Sequence, residues 1–472
     1  MPLLKRLTDA IGASFVLTGS DMAPWTHDWT KTYSGTPIAV LRPANTQDVA
    51  AIMKIAHDTG TGVVPVSGNT SVTGSAVCDN KLALSLDRMN AVREIRPEGR
   101  VAIVEAGVIL QNLHDATAEQ DLIFPMSFGA KGSARIGGML STNAGGSNVL
   151  RYGNMRDLCL GLEVVLADGR VMDLMSALHK NNSGYDLRHL MIGAEGTLGV
   201  ITAAVLKLAP KPRAYATAML ALPALDDALG LLNRLQDMSG GAVEAFEFMP
   251  RAHMDGHLRL IDGARPAFDQ SYDINIMVEL AATSPADATP GPDGSLPIVT
   301  LLENALVPML EDGTLLDAVV AQSEAQRREM WERREASAEI TFHNPVIVDT
   351  DIALPLDQIA PFFDRIQSRL AELDARATDI CVAHLGDGNV HYNVYPSRDD
   401  PALKSQIKIA IEDIVQDLGG SFSAEHGVGL SKLSSMARYK DPVALDVMRS
   451  LKAALDPKGI LNPGKVLPPK NV

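Results

Sequence analysis

Three short stretches of this chain gather side chains that could do chemistry. HLGDGNVHYN, from His384 to Asn393, sets two histidines around a Gly-Asp-Gly-Asn turn between runs of β-formers, and FSAEHGVGLSK places Glu425 and His426 side by side ahead of a Gly-x-Gly. QRREMWERREA, residues 326–336, holds Arg327, Arg328, Arg333 and Arg334. If Asp387 and Gly388 form a two-residue hairpin turn, Gly386 pairs with Asn389, Leu385 with Val390, and His384 falls opposite His391. The two rings then share one face with their Cβ atoms about 4.5–5.5 Å apart. Asn393, two residues further on, projects from that face too. Such a pair can decorate a solvated sheet without any ion. With Glu425 as a third donor, two imidazoles and a carboxylate suit a divalent ion, Zn²⁺ or another, and leave a position open for a substrate. The arginines also read in two ways, as a solvated helix face with i,i+4 partners or as a clamp for an anion.

Two further segments carry small residues beyond what turns require: SGNTSVTGS at 67–75, directly after the apolar run GVVPV, and GAKGSARIGGMLSTNAGGSNVLRYG at 129–153. Small side chains let backbone N–H groups converge on an anion, so a phosphate-bearing cofactor is the physical reading. No G-x-G-x-x-G lies between a strand and a helix, and the Lys-Ser or Lys-Thr ending of a P-loop is absent from the glycine-rich loops, so neither the Rossmann nor the P-loop geometry is supported.

Composition narrows the partners. The chain has 472 residues, room for two or three domains, and 57 acidic against 42 basic residues give a net charge of −15. That balance disfavours nucleic acid and anionic membrane, so an anionic substrate needs a local arginine cluster. Cys78, Cys159 and Cys381 are far apart and lack C-x-x-C spacing. The expectation is a reducing, cytoplasmic setting without disulfides. No segment approaches the roughly 18–20 apolar residues of a membrane span.

The elements that must position these groups follow two rhythms. Over 36–210, β-rich runs alternate with helical ones: PIAVLRP, the helix QDVAAIMKIAHDTG, then GVVPVSG, LALSLDR and VAIVEAG. After APKPRA at 209–214, TAMLALP, the helix LDDALGLLNRLQDM, AVEAFEFMP and YDINIMVELAA predict an antiparallel sheet with helices on one face. AATSPADATPGPDGSLP at 281–297 reads as a loop inside that domain, ahead of the helix IVTLLENALVPML. The tail, a helix followed by a Pro/Gly-rich extension, has the form of an end that docks on an earlier domain.

On these motifs a family resemblance can be stated. SGNTSVTGS, FPMSFGAKGSARIGGMLSTNAGGSNVLRYG and GYDLRHLMIGAEGTLGVIT resemble the FAD-binding domain of vanillyl-alcohol-oxidase-type flavoenzymes. With HLGDGNVHYN, AEHGVG and GILNPGK, the chain from about 36 to 467 is most similar to D-2-hydroxyglutarate dehydrogenases and their D-lactate dehydrogenase relatives. The resemblance implies an α+β chain: a PCMH-type FAD-binding domain at 1–213 and a ferredoxin-like substrate, or cap, domain with the metal-binding hairpin at 214–417. A segment at 418–472 would complete the active site and the FAD site.

Carried over residue by residue, Ser67, Gly68, Asn69, Thr70, Ser71, Gly74 and Ser75 stand on the pyrophosphate loop. Pro125, Met126, Gly129, Gly132, Gly137, Gly138, Ser141, Thr142, Asn143, Gly145 and Gly146 stand on the second flavin-contacting segment. Glu195, Gly196 and Ile201 lie along the adenosine half, and Asn462 near the isoalloxazine. Ser67 and Ser71 occupy places that the family usually fills with glycine. The resemblance assigns His384, His391 and Glu425 as metal ligands, His426 as general base, and Arg334, Asn393 and His426 to the substrate.

The reaction so implied is oxidation of a D-2-hydroxy acid, with hydride passing from C2 to flavin N5 while the metal acidifies the hydroxyl and His426 takes its proton. The implied acceptor is an electron-transfer flavoprotein or a quinone, and a homodimer is compatible. FAD is expected to be non-covalent, since SGNTSVTGS contains neither His nor Cys. Two departures bear on the substrate: Asp349 stands where the hydroxyglutarate enzymes carry a lysine, and Ala338 replaces a small hydroxyl residue. Both favour D-lactate, D-malate or another short acid as the alternative. A flavin-binding subunit without chemistry would not need the His/Glu set, and a metallohydrolase would leave the glycine-rich loops without purpose.

Overall fold

The computed structural model describes residues 2–469. The chain forms two compact units: Met1–Gly145, Gly153–Pro210 and Glu425–Val472 in the first, Gly146–Tyr152 and Lys211–Ala424 in the second.

In the first unit, Ala39–Leu41 and Val63–Val66 lie parallel to either side of Leu82–Ser85, joined by the helix Thr46–Thr59. That helix starts where the Asn45 side chain accepts from the Asp48 amide at 2.9 Å and ends at Gly60, whose φ of 68° few other residues adopt readily. A second sheet of five antiparallel strands has the order Val92–Arg96, Val101–Glu105, Val200–Lys207, Cys159–Val165, Val171–Leu174. The C-terminal residues are fastened to the first sheet. The Val63 amide donates to the Ile460 carbonyl at 2.7 Å, and the Asn462 amide to that of Val63 at 2.8 Å.

The second unit is built on seven strands: β1 (Ala214–Leu222), β2 (Val243–Pro250), β3 (Ile274–Ala282), β4 (Asp317–Val320), β5 (Val348–Ala353), β6 (Thr378–His384) and β7 (Asn389–Tyr395). They pair antiparallel throughout in the order β4-β1-β3-β2-β6-β7-β5. The first four, in order 4-1-3-2, form the ferredoxin-like arrangement, and β5, β7 and β6 repeat its 1-3-2 part. The stretch 281–297, expected to be a loop, also holds a short helix, Pro285–Ala288, because the Ser284 side chain caps the Ala286 amide.

Alternation along the strands separates two faces. Phe246, Phe248, Ile276, Val278, Ile352, Ala383, Val390 and Tyr392 point into one core, against Leu231, Leu302, Phe362 and Ile411 of four helices. The opposite face carries Met219, Met249, Met277 and Val382, packed on Met330, and with them the polar groups discussed below.

Residues 146–152 are tied to this unit through Glu244, the extra residue of a bulge where β2 meets β3. Its carboxylate accepts from Asn148, Arg151 and Tyr152 at 3.2–3.3 Å. Burial pushes the Glu244 carboxyl up to about 7, with Arg151 opposing and the nearby Glu279 charge adding to the rise. A carboxyl raised on folding stabilises most below its unfolded value of about 4.5 and loses that contribution as pH climbs through about 7. The second unit should therefore lose up to about 3 kcal/mol between pH 5 and 8 from this group. Glu244→Gln should flatten that part of the urea-midpoint profile; an unaltered slope would show that Glu244 is ionised throughout.

Candidate active site

In the first unit the glycine-rich loops meet. SGNTSVTGS leaves the strand Val63–Val66, and the helix Ile136–Thr142 carries Gly137, Gly138, Ser141 and Thr142. The Gly138 amide donates to Ser67 Oγ at 3.1 Å, and a Cβ on Gly137 would lie 2.7 Å from that of Ala106, which is why side chains are excluded there. The Ser71, Thr73 and Ser75 hydroxyls bond to one another at 2.8–3.2 Å. Among the described residues, no protein acceptor meets the backbone N–H groups of Gly68, Asn69, Thr70 and Ser71. Four unpaired amides on one loop, with Asn69 held at φ 52°, form a cradle that suits a pyrophosphate. Asn143, Glu195 and Asn462 also have positive φ, of 53°, 49° and 38°. Such strain in non-glycine residues concentrates at functional sites.

The other expected cofactor residues are placed less uniformly. Pro125 and Met126 are buried, the Met126 carbonyl meeting His114 Nε2 at 2.9 Å. Gly129 and Gly132 lie on an exposed turn, where an added Cβ would meet nothing within 4 Å. Ile201 is buried in its strand, and a Cβ on Gly196 would lie 3.0 Å from Pro65. Gly145 closes one stretch of the first unit and Gly146 opens a stretch of the second.

Glu195 and Asn462 bind protein atoms. The Asn462 amide group donates to the Ser75 and Glu195 carbonyls at 3.1 and 2.7 Å. The Glu195 carboxylate accepts the Val428 and Gly429 amides at 2.7 and 2.9 Å, and burial outweighs them to raise its pKa. These bonds fix the loop that carries Glu425 and His426. Gly427 and Gly429 have φ of 78° and 51°, and a Cβ on either would strike Glu195 or Thr73.

In the second unit the two histidines share a face, but not as the two-residue turn predicted. His384 pairs with Asn389, and His391 with Val382. Residues 385–388 form a longer turn because the Leu385 amide is drawn to the Phe246 carbonyl on β2 at 2.9 Å and the Leu385 side chain is buried. The His384 carbonyl then takes the Asp387 and Gly388 amides at 3.2 and 3.1 Å. The register has slipped by two residues, which preserves the face. The rings are diagonal neighbours with centroids 5.8 Å apart.

Asn393 is on the same face, and pairing across β5 adds Asp351 opposite His391 and Asp349 opposite Asn393. Asp351 is buried and accepts from the Asn389 amide at 3.0 Å; Asp349 is exposed. The Oδ1 atoms of Asn389 and Asn393 are buried without a protein partner among the described residues, two acceptors left for a ligand.

The arginine helix, Glu324–Glu335, lies against this face and departs from the solvated reading. Arg327 grips the buried Glu279 with two bonds of 2.7 Å, and Arg333 is buried against Glu329 and the Arg265 carbonyl. Of the four, Arg328 is exposed. Arg334 is buried, its Nε donating to Glu247 Oε2 at 2.6 Å and its Nη2 lying 3.3 Å from His384 Nε2. Glu247 Oε1 meets His384 Nδ1 at 2.8 Å. Burial would raise the Glu247 carboxyl, but His384 and Arg334 hold it below its ordinary value.

Sequence reasoning missed Glu247 and passed over Asp351. The signal was alternation: an acid between Phe246 and Phe248, and VDTDI with Asp349 and Asp351 two apart.

A chain with glycine-lined phosphate loops in one unit and an antiparallel sheet bearing histidine, arginine and carboxylate in the other has the form of a two-domain flavin oxidoreductase. Family models agree: residues 37–175 match the FAD binding domain and 211–466 the C-terminal domain of FAD linked oxidases. Curated relatives include D-2-hydroxyglutarate dehydrogenase, mitochondrial, of Bos taurus, 36% identical over 98% of this chain and 83% of that protein. The D-2-hydroxyglutarate dehydrogenase of Xanthomonas citri pv. viticola is 34% identical over 98% and 97%. The chain belongs to this D-2-hydroxyglutarate dehydrogenase family of FAD-linked oxidoreductases. Among solved structures, alkyldihydroxyacetonephosphate synthase shares the fold with a TM-score of 0.73 at 16% identity, covering 98% of this chain and 84% of that one. A p-cresol methylhydroxylase with substrate bound gives 0.72 at 15%, covering 98% and 96%. Among the described residues no helix is long and apolar enough to cross a membrane.

Glu195 offers a direct check. A glutamine there keeps one acceptor and turns an NH₂ group toward a second N–H, leaving a buried donor unpaired. Glu195→Gln should speed hydrogen exchange at Val428 and Gly429 by at least about tenfold, or ~1.4 kcal/mol. Unchanged protection would show that the loop is held by other bonds.

Proposed function

We propose that the protein oxidises a D-2-hydroxy acid to the 2-oxo acid with non-covalent FAD and a divalent metal, Zn²⁺, in the manner of the D-2-hydroxyglutarate dehydrogenases. The observation that carries the reading is one sheet face holding His384, His391 and Asn393, with Arg334 of the helix packed on it reaching His384. It joins a guanidinium for a carboxylate to imidazoles suited to a metal. Within the second unit the donors suit such an ion, with His384 and His391 on adjacent strands and buried Asn oxygens beside them, and the family resemblance adds Glu425 as the third ligand.

Bound FAD supplies the two-electron sink for the hydride leaving C2, and the metal ion a charge that acidifies the hydroxyl. The chain's residues do the rest. Arg334, with Nε committed to Glu247, presents its Nη groups to the C1 carboxylate. A ring nitrogen of His426 receives the hydroxyl proton, which makes it the general base. Asn393 Oδ1 accepts a substrate hydrogen bond. The electron acceptor is an electron-transfer flavoprotein or a quinone. The buried thiols Cys78, Cys159 and Cys381 suit a reducing cytoplasm. A homodimer is compatible with this chemistry.

A second reading, a shorter acid such as D-lactate or D-malate, is favoured by Asp349. It sits on the ligand face opposite Asn393, two residues or about 6.7 Å along β5 from the His391 row, and no cation pairs with it among the described residues. A distal carboxylate reaching that far would meet like charge.

Turnover of a D-2-hydroxy-acid panel with an artificial acceptor tests the class, and turnover of none would refute it. Chelation should abolish activity with FAD retained, and His384→Ala or His391→Ala should cost a few kcal/mol in kcat/KM. Full turnover by metal-free, FAD-replete enzyme would remove the metal from the mechanism. Asp349→Lys should raise kcat/KM for D-2-hydroxyglutarate relative to D-lactate by about tenfold, ~1.4 kcal/mol. An unchanged ratio would remove residue 349 from the substrate pocket.

A further inference from the structure

Glu247 lies in none of the glycine-rich, histidine or arginine motifs, yet two of the proposed ligand-binding groups converge on it. β2 places it directly across from His384 on β6, and its side chain is 1% exposed. One carboxylate oxygen takes the Arg334 Nε proton at 2.6 Å and the other faces His384 Nδ1 at 2.8 Å. Arg334 Nη2 closes the ring of three side chains at 3.3 Å from His384 Nε2.

The chemistry of the donors sets the proton positions. A guanidinium only donates, so the Nε2 atom it faces is the unprotonated nitrogen, and the imidazole proton sits on Nδ1, where Glu247 accepts it. The Glu247 charge is balanced by Arg334 at the same contact, so the carboxylate is not left as a bare charge in the interior.

We propose that Glu247 is the positioning residue of this site: one carboxylate holds His384 in the Nδ1–H tautomer, so that Nε2 keeps its lone pair, and orients the Arg334 guanidinium beside it. The proposal rests on the roles given above to His384 and Arg334. It goes beyond them in making metal affinity and carboxylate binding depend on one residue. Loss of a carboxylate behind a ligating histidine typically weakens metal binding by about 10–100-fold.

The test uses the full-length, FAD-loaded protein. Long-range ¹H–¹⁵N spectra of histidine-labelled, metal-free enzyme, with His384 assigned through His384→Asn, should show the Nδ1–H tautomer in the wild type and a tautomer mixture in Glu247→Gln. Titration with Zn²⁺ alone should give a Kd about 10–100-fold weaker for Glu247→Gln. KM for D-2-hydroxyglutarate should rise by a larger factor than kcat falls, while FAD content is unchanged. Glu247→Asp, which keeps the charge, should restore the tautomer and part of the affinity. A Glu247→Gln protein with the wild-type tautomer and Kd would overturn the proposal. If that variant fails to fold, the wild-type spectrum decides, since an Nε2–H tautomer at His384 also overturns it. Wild-type protein that binds no Zn²⁺ would defeat the metal reading above, and the tautomer comparison would still decide the role of Glu247.

Discussion

The second unit depends on the strict two-residue alternation of its seven antiparallel strands. One face is surrendered to the helices, so every polar group that must gather in a site is forced onto the other. His384, Asn389, His391, Asn393, Asp349, Asp351 and Glu247 share that side because each is an even number of residues from its strand neighbours or directly paired across the sheet. A slip of one residue would send all of them into the apolar core, whereas the slip of two seen at the hairpin moves His391 along the face without removing it.

Placing acids on a covered face creates an electrostatic problem that the chain solves for three of them with one guanidinium each. Glu247 has Arg334, Glu279 has Arg327, and Glu244 has Arg151. Each buried pair is costly to break and adds little net stability. Their value here lies in geometry: Arg334 is held in one orientation by its Nε bond, and the segment 146–152, which continues the glycine-rich stretch, is attached to the second unit through Arg151 and Tyr152.

The first unit uses backbone conformation for the same purpose. Asn69, Asn143, Glu195 and Asn462 accept left-handed φ values, and glycines stand wherever a Cβ would strike a neighbouring strand or loop. Glu195 joins its own segment to the Glu425–His426 loop through two amides, so the proposed base is carried by a turn whose position is set within the first unit.

By itself the sequence determined the chemistry available and the faces on which it would appear. The glycine-rich loops, the alternation in VDTDIALP and AVEAFEFMP, the paired histidines and the Glu-His dipeptide are local patterns, and local spacing dictates side-chain parity and backbone permissiveness. Only the tertiary structure decided which groups meet. Glu247 and His384 are 137 residues apart, and nothing in either neighbourhood names the other. Arg327 and Arg333 read as solvated because the helix pattern does not reveal that Glu279 and the Arg265 carbonyl lie against them. The hairpin register escaped for the same reason: the Leu385 amide answers to Phe246 on another strand, a pairing set by the assembled sheet and invisible to the turn alone.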